Sequence, residues 1–219
     1  MALVGETMVH VHSVPTDISA ALTLEVAREI AIYDDTVVFP EEVLVYEPGD
    51  GNEYFSDYPT PILVLMFENQ GVCAWGVPLG VDHPPVLVGD EFGVTRFSPN
   101  IETFIAARRW DDACFSLGPT MIQAQAEPLP EAAQRFLDER YESRFTTHGW
   151  PGHTQLRYES DSMRIMLWLS EEQCDWFIAA KSAGELEDAM RSLIALSDLA
   201  TSAWSLEKEG EAILRRIRG

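Results

Sequence analysis

Apolar positions near the start of the chain recur at the spacing of an α-helix. The residues of this stripe are Ile18, Leu22, Val26 and Ile30. Thr16 or Asp17 can cap the first backbone N–H groups, so the pattern predicts one amphipathic helix that ends near Tyr33. Residues 39–42 (FPEE) predict a short helical turn, because proline fits the first helical position and acidic side chains suit a helix N-terminus.

A β-hairpin is predicted further along. Ile62 to Phe67 (ILVLMF) is a continuous apolar run, and a second apolar run extends from Val72 to Val77. The residues between them, 68–71 (ENQG), favour a turn because asparagine tolerates left-handed backbone and glycine adopts it freely. The first strand is apolar on both faces. We therefore expect it at the centre of a sheet that is covered on both sides or packed under helices.

Weaker patterns follow this hairpin. Val86 to Val88 form a short predicted strand. Residues 98–100 (SPN), with Glu102, are the predicted entry to a helix that carries Ile101, Phe104 and Ile105. The polar region from Gln123 to Pro130 (QAQAEPLP) contains two prolines. It is the predicted boundary between a first portion, residues 1–122, and a second portion, residues 123–219.

The second portion has the pattern of a strand meander followed by helices. Three apolar or alternating runs lie close together at residues 154–158, 164–169 and 174–180. An antiparallel meander is their simplest interpretation. Two helical stripes follow, the first of them around Leu186 to Ile194. Strands and helices in separate runs indicate the α+β class, with a C-terminal strand-and-helix portion packed on the same body.

The charge balance changes the expected partners. The 219 residues include 15 Lys plus Arg and 36 Asp plus Glu, a formal net charge of -21. A surface of this sign repels phosphate backbones, which disfavours direct nucleic-acid binding and favours a basic partner. Acidity that only keeps a protein in solution is the commoner explanation of such a composition.

The apolar runs and the cysteines of the sequence indicate the cellular compartment of the protein. The chain contains no run of 18 or more apolar residues and no signal peptide pattern at its start, so we expect no membrane association and a cytoplasmic location. Cys73, Cys114 and Cys174 are odd in number and far apart, which argues against disulfides and a cysteine zinc site. We expect them reduced in the interior.

Catalytic and cofactor motifs are absent from the sequence. It contains neither a G-x-S-x-G nucleophile motif nor a glycine-rich phosphate loop. His10 and His12 would share one face of a strand, and His148 and His153 flank a turn, but neither pair completes a metal site. We predict no catalytic residue, cofactor or metal. A hydrolase that uses scattered carboxylates and a histidine such as His83 or His153 stays open as an alternative.

One loop combines acidic and aromatic side chains. The residues in question are Asp50, Glu53, Tyr54, Phe55, Asp57 and Tyr58, within the loop of residues 48–61. Rings provide contact area and carboxylates pair with Lys or Arg, so this loop is a candidate partner-binding surface. A loop folded over its own core explains the same residues equally well.

The hairpin resembles a family signature. Phe67 to Val77 (FENQGVCAWGV), followed by Asp82 to Val86 (DHPPV), is similar to the motif of the SUKH superfamily. Its best-known members are immunity proteins of bacterial polymorphic toxin systems, related to a yeast regulator of cell-wall synthesis. The resemblance implies a mixed, mainly antiparallel sheet of about six strands flanked by helices. It also implies structural roles for the matched residues, which are Glu68, Asn69, Gln70, Gly71, Trp75, Gly76, Pro84 and Pro85.

The function implied by the resemblance is protein binding. An immunity protein neutralises its cognate toxin by covering the toxin's surface, and an acidic surface suits a basic nuclease toxin. A regulatory scaffold for a housekeeping protein is a third hypothesis beside the hydrolase. The oligomeric state is left open. The arginine-rich end, residues 215–218, is expected either to pair with the acidic body or to cap the dipole of the last helix.

Overall fold

The computed structural model describes residues 13–219 and has an α+β fold, as the sequence predicts. The predicted strand with His10 and His12 lies outside the described residues. The described strands form two separate antiparallel sheets, one with six strands and one with seven. The sequence left open whether the two halves share one sheet. They do not, and a long helix lies between them.

The first sheet contains the predicted hairpin. Its strands β1 to β6 span Thr36–Val37, Val45–Tyr46, Ile62–Phe67, Cys73–Pro78, Val86–Asp90 and Gly93–Ser98. β3 pairs with β1 and β2 on one side and with β4 on the other, so it is central as expected. One face packs Leu63 and Trp75 against helices, and the other packs Ile62 and Ala74 under the loop of residues 48–61. This arrangement confirms the predicted coverage of both faces.

The first predicted helix is two helices, so the prediction of one was wrong. They are α1, Thr16–Ala21, and α2, Leu24–Glu29. Thr23 causes the break because its Oγ1 accepts a hydrogen bond from the Val26 backbone N–H at 3.3 Å and so caps a new helix. A short 3₁₀ segment, Ile32–Asp34, follows. Residues 39–42 form a turn and not a helix.

The second sheet contains the predicted meander. Its strands β7 to β13 span Met121–Ala126, Glu142–Ser143, Thr147–His148, Thr154–Glu159, Met163–Leu169, Cys174–Ala180 and Ala203–Trp204. β10, β11 and β12 pair in sequence as antiparallel neighbours, which confirms the meander. β7 pairs with β12. The boundary predicted between residues 122 and 123 therefore falls inside a strand of the second sheet.

The two faces of the second sheet have different neighbours. One face packs against helices α4 to α7, which span Glu131–Arg140, Ala183–Ile194, Leu199–Ser202 and Lys208–Arg218. Of the terminal arginines, Arg216 pairs with Glu187 at 2.6 Å, and Arg218 donates to the Ala200 carbonyl at 2.6 Å. No helix in residues 13–219 is long and apolar enough to span a bilayer.

Helix α3, Ile101–Phe115, joins the two halves. It begins at the predicted entry, where Asn100 is the cap because its Oδ1 accepts a hydrogen bond from the Thr103 N–H at 2.8 Å. Phe104 packs in the core of the first sheet, while Trp110 and Cys114 pack against the free face of the second. The helix therefore contributes to two cores, and its polar residues between them lie where the halves meet.

Candidate functional site

A cavity of about 240 Å³ lies where α3 and the two sheets meet. The turn between β3 and β4 borders it with Glu68, Asn69 and Gln70. The second half contributes Trp150, from the loop between β9 and β10, and Trp168, from β11. The cavity is thus lined by the polar residues of the hairpin motif and by residues far away in sequence.

A buried ion pair closes the side of the cavity that belongs to the first half. The Arg108 guanidinium on α3 pairs with the Asp35 carboxylate and donates from Nε to the Ile30 carbonyl at 3.1 Å. It also lies 5.0 Å from the centre of the Trp75 ring, a cation–π contact. Asp35 accepts a hydrogen bond from the Asn69 N–H at 3.2 Å. Burial raises the pKa of Asp35 and outweighs the opposing effect of Arg108.

A second buried ion pair attaches α3 to the second sheet. Arg157 on β10 donates from Nε to Asp111 Oδ1 at 2.6 Å and from Nη2 to Asp111 Oδ2 at 2.8 Å. Its Nη1 donates to the Phe145 carbonyl at 3.2 Å and to Thr147 Oγ1 at 3.0 Å. The guanidinium is therefore held by partners on both its edges, which is the geometry that makes a buried arginine tolerable.

The loop between β9 and β10 places Trp150 against the first half. Gln155 is fully buried, and its Nε2 donates to the Gly149 carbonyl at 2.6 Å and to the Pro151 carbonyl at 2.5 Å. Gly149 has φ +80°, and a Cβ atom there would lie 2.3 Å from Val88 Cγ1 of the first sheet. Glycine is needed for both reasons. Trp150 then packs on the core of the first sheet.

The motif residues of the hairpin shape its turn and its packing. Glu68 Oε2 accepts a hydrogen bond from the Gln70 N–H at 2.7 Å, and Gly71 has φ +72°. Trp75 is buried and meets the Phe97 ring edge-on at 6.1 Å. A Cβ at Gly76 would lie 2.5 Å from Ile62 Cγ2.

The two prolines of the motif precede β5, with Pro84 buried and Pro85 partly buried. Nothing in the sequence indicates that Glu68, Asn69 and Gln70 also border a cavity. Its other walls come from the second half, and no local pattern connects them to the hairpin.

The loop of residues 48–61 is folded over its own sheet. Phe55 is 2% exposed and packs with Ile62 and Leu87, so it is not available at the surface. Tyr54 and Tyr58 are partly buried in the same cluster. The rings of this loop therefore serve the core, which is the alternative that the sequence left open.

The three carboxylates of that loop are exposed but differ in their contacts. Asp50 accepts hydrogen bonds from the Glu47 N–H at 3.1 Å and the Asn52 N–H at 3.0 Å, so it shapes the loop. Glu53 and Asp57 are exposed as well. All three carboxylates are therefore accessible at the surface, and Asp50 also bonds the backbone of the loop.

The two histidines considered for a hydrolase, His83 and His153, lie outside the cavity. His83 is exposed with Nδ1 3.5 Å from Asp17 Oδ2, and His153 borders a separate surface depression. Within residues 13–219, no histidine lines the cavity between the sheets, and both of its aspartates are paired with arginines. No group of three or more His, Cys, Asp or Glu in this part of the chain could hold a metal ion.

Comparison of the chain with protein-family models, curated proteins and solved structures finds no match. The resemblance to the SUKH superfamily therefore stays a prediction that rests on the hairpin motif alone.

Proposed function

We propose that this chain is a protein-binding module of the immunity type, acting in the cytoplasm, which neutralises a basic toxin by covering its active surface. Acidic side chains at the surface would steer the partner to the chain, and close packing would then hold it. The hairpin motif, which is similar to that of SUKH immunity proteins, supports this class of function.

The observation that carries the proposal is the distribution of charge. Arginines across the described chain already pair with its own carboxylates: Arg28, Arg108, Arg109, Arg135, Arg144, Arg157, Arg164, Arg191 and Arg216. Acidic residues outnumber basic ones by 36 − 15 = 21. The surplus includes exposed carboxylates, such as those of Glu53, Asp57, Glu171 and Glu172. This surplus fits a basic partner.

Affinity capture tests the proposal. The purified chain is immobilised, lysate of the source organism is passed over it at low salt, and bound proteins are released by a rising salt gradient and identified. We expect one basic protein that forms a stoichiometric complex and loses its toxic activity when bound. An acidic partner, retention that salt does not weaken, or a complex in which the partner keeps its activity would overturn the proposal.

A further inference from the structure

The cavity between the sheets has a buried floor and an accessible mouth. Trp75, Phe97 and Met166 at its floor are between 1% and 2% exposed. At the mouth Trp150 and Trp168 are partly buried, while Gln70 is exposed. The volume of about 240 Å³ is smaller than the roughly 300–1,000 Å³ of sites for drug-sized ligands. It fits something the size of a single side chain.

The charges that line the cavity do not balance. Asp35, Glu68 and Asp111 are acidic and Arg108 and Arg157 are basic, which leaves 3 − 2 = 1 negative charge. The two aspartates pair with the two arginines. None of the ion pairs in residues 13–219 includes Glu68. The charge of Glu68 also helps to raise the pKa of Asp35, as expected where negative charge is in excess.

The Glu68 carboxylate is oriented before any ligand arrives. Its Oε2 accepts hydrogen bonds from the backbone N–H groups of Gln70, at 2.7 Å, and Val72, at 3.4 Å. A fixed carboxylate binds a cation at a lower entropic cost than a mobile one, because its rotamer is already restricted. Glu68 is thus preorganised as an acceptor at the mouth of the cavity.

Aromatic rings form much of the remaining wall. Trp150, Trp168 and Phe115 border the cavity from the second half and from the end of α3. A guanidinium stacks on such rings through cation–π attraction, and it does so more readily than an ammonium group because it is planar and weakly hydrated. Arg108 over Trp75 shows the same contact inside this site.

We propose that the cavity receives one arginine side chain of a protein partner, with Glu68 as its counter-ion and Trp150 and Trp168 as the surfaces on which it stacks. This inference rests on the proposed function and specifies how a basic partner would be recognised. Exposed carboxylates elsewhere would attract the partner, while this single contact would fix its orientation.

A short peptide tests the cavity without knowledge of the partner. Acetyl-Gly-Arg-Gly-amide is titrated into the full chain, and the indole N–H signals of the tryptophans are followed by NMR. The matched probe is the peptide with citrulline, which has nearly the same shape but no charge. We expect the arginine peptide to shift the Trp150 and Trp168 signals and to bind at least about tenfold more tightly than the citrulline peptide. Equal affinities, or shifts that leave both tryptophans unchanged, would overturn the inference.

Two variants identify the counter-ion. Glu68→Gln keeps an oxygen to accept the Gln70 N–H but removes the charge, so we expect arginine binding to weaken about tenfold. Gln70→Glu adds a carboxylate at the mouth and should tighten binding several-fold. Glu91→Gln is the control, since Glu91 is exposed and does not line the cavity. An arginine peptide that binds Glu68→Gln as tightly as the parent chain contradicts the assignment.

The same variants separate this inference from the proposed function. If Glu68→Gln binds the captured basic protein with parental affinity while salt still weakens the complex, protein binding stands and the cavity assignment fails. If no basic protein is captured, the proposed function fails, whatever the peptide does.

Discussion

Arg157 and Asp111 meet at two points, Nε to Oδ1 at 2.6 Å and Nη2 to Oδ2 at 2.8 Å, in the interior between the second sheet and α3. The Arg157 side chain is 1% exposed. On the same helix, Arg108 pairs with Asp35 of the first half. One helix is therefore attached to both halves by buried ion pairs, and the cavity lies between those two attachments.

Removing the carboxylate of Asp111 should destabilise the whole chain. Asp111→Ala leaves the Arg157 charge buried without its partner, and we expect a loss of about 3–5 kcal/mol in the free energy of unfolding. Urea denaturation measures this loss. The control is Glu131→Ala, which breaks the exposed pair with Arg135 and should cost about 0.3–0.5 kcal/mol. Equal losses in the two variants would mean that the buried pair does not join α3 to the second sheet.

Gly149→Ala should disturb the contact between the halves. The new Cβ would lie 2.3 Å from Val88 Cγ1, and the residue would also have to hold φ +80°. Gly80→Ala is the matched control because it has φ +77° but nothing within 4 Å. We expect the free energy of unfolding of the control to fall by about 1 kcal/mol, from backbone strain alone. The free energy of unfolding of Gly149→Ala should fall by about 1–3 kcal/mol more than that of the control, as measured by thermal or urea unfolding. A decrease no larger than the control's would argue against close packing between Gly149 and Val88.

The three cysteines should not react with a thiol reagent in the native state. Cys73, Cys114 and Cys174 are buried, and burial raises the pKa of Cys114 to about 12. The pKa values of Cys73 and Cys174 are raised for the same reason. We expect labelling by Ellman's reagent to be at least about 10³-fold slower than in guanidinium chloride, because it requires opening of the core. Rapid native labelling of one thiol would show an exposed cysteine.

The ionisation of the Tyr54 hydroxyl at alkaline pH reports whether the loop of residues 48–61 is folded on its sheet. Its hydroxyl donates to the Gly71 carbonyl at 2.8 Å, and burial raises its pKa from 10.0 to about 12, with a further contribution from Glu53. The unfolded chain loses this proton near pH 10 while the folded chain keeps it. The stabilisation is therefore complete below pH 10 and is lost as the pH rises to about 12.

Tyr54→Phe removes this linkage, so the difference in unfolding free energy between the parent chain and the variant should shrink from pH 10 to pH 12. The tyrosinate absorbance that the variant lacks should appear with a midpoint near pH 12. A midpoint near pH 10 would show that the hydroxyl is open to solvent.

Local patterns predicted local structure well. Turn chemistry and apolar spacing predicted the hairpin of β3 and β4, the meander of β10 to β12 and the start of α3 within a few residues. The split of the first helix was missed because Thr23 also fits a helix interior, and only its hydrogen bond to Val26 identifies it as a cap.

The site could not be predicted in the same way. Its walls combine Gln70 with Trp150 and Trp168, which come together only after α3 has packed between the two sheets. The burial of Phe55 was equally invisible, since an aromatic residue in a polar loop can face a partner or its own core. Long-range packing decides both, and apolar spacing carries no information about it.

The central claim is that exposed carboxylates of this chain attract a basic protein. It is tested most directly by stopped-flow association of the chain with the captured partner over a range of ionic strength. The charge variant is Glu53→Gln with Asp57→Asn, which keeps Asp50 because that residue shapes the loop. The control is Glu171→Gln with Glu172→Gln, which removes the same charge from an exposed turn of the second sheet.

We predict that added salt slows association of the parent chain by tenfold or more, and that the loop variant associates more slowly with a flatter salt dependence than the control. An association rate that does not change with ionic strength would contradict the account, whatever the identity of the partner.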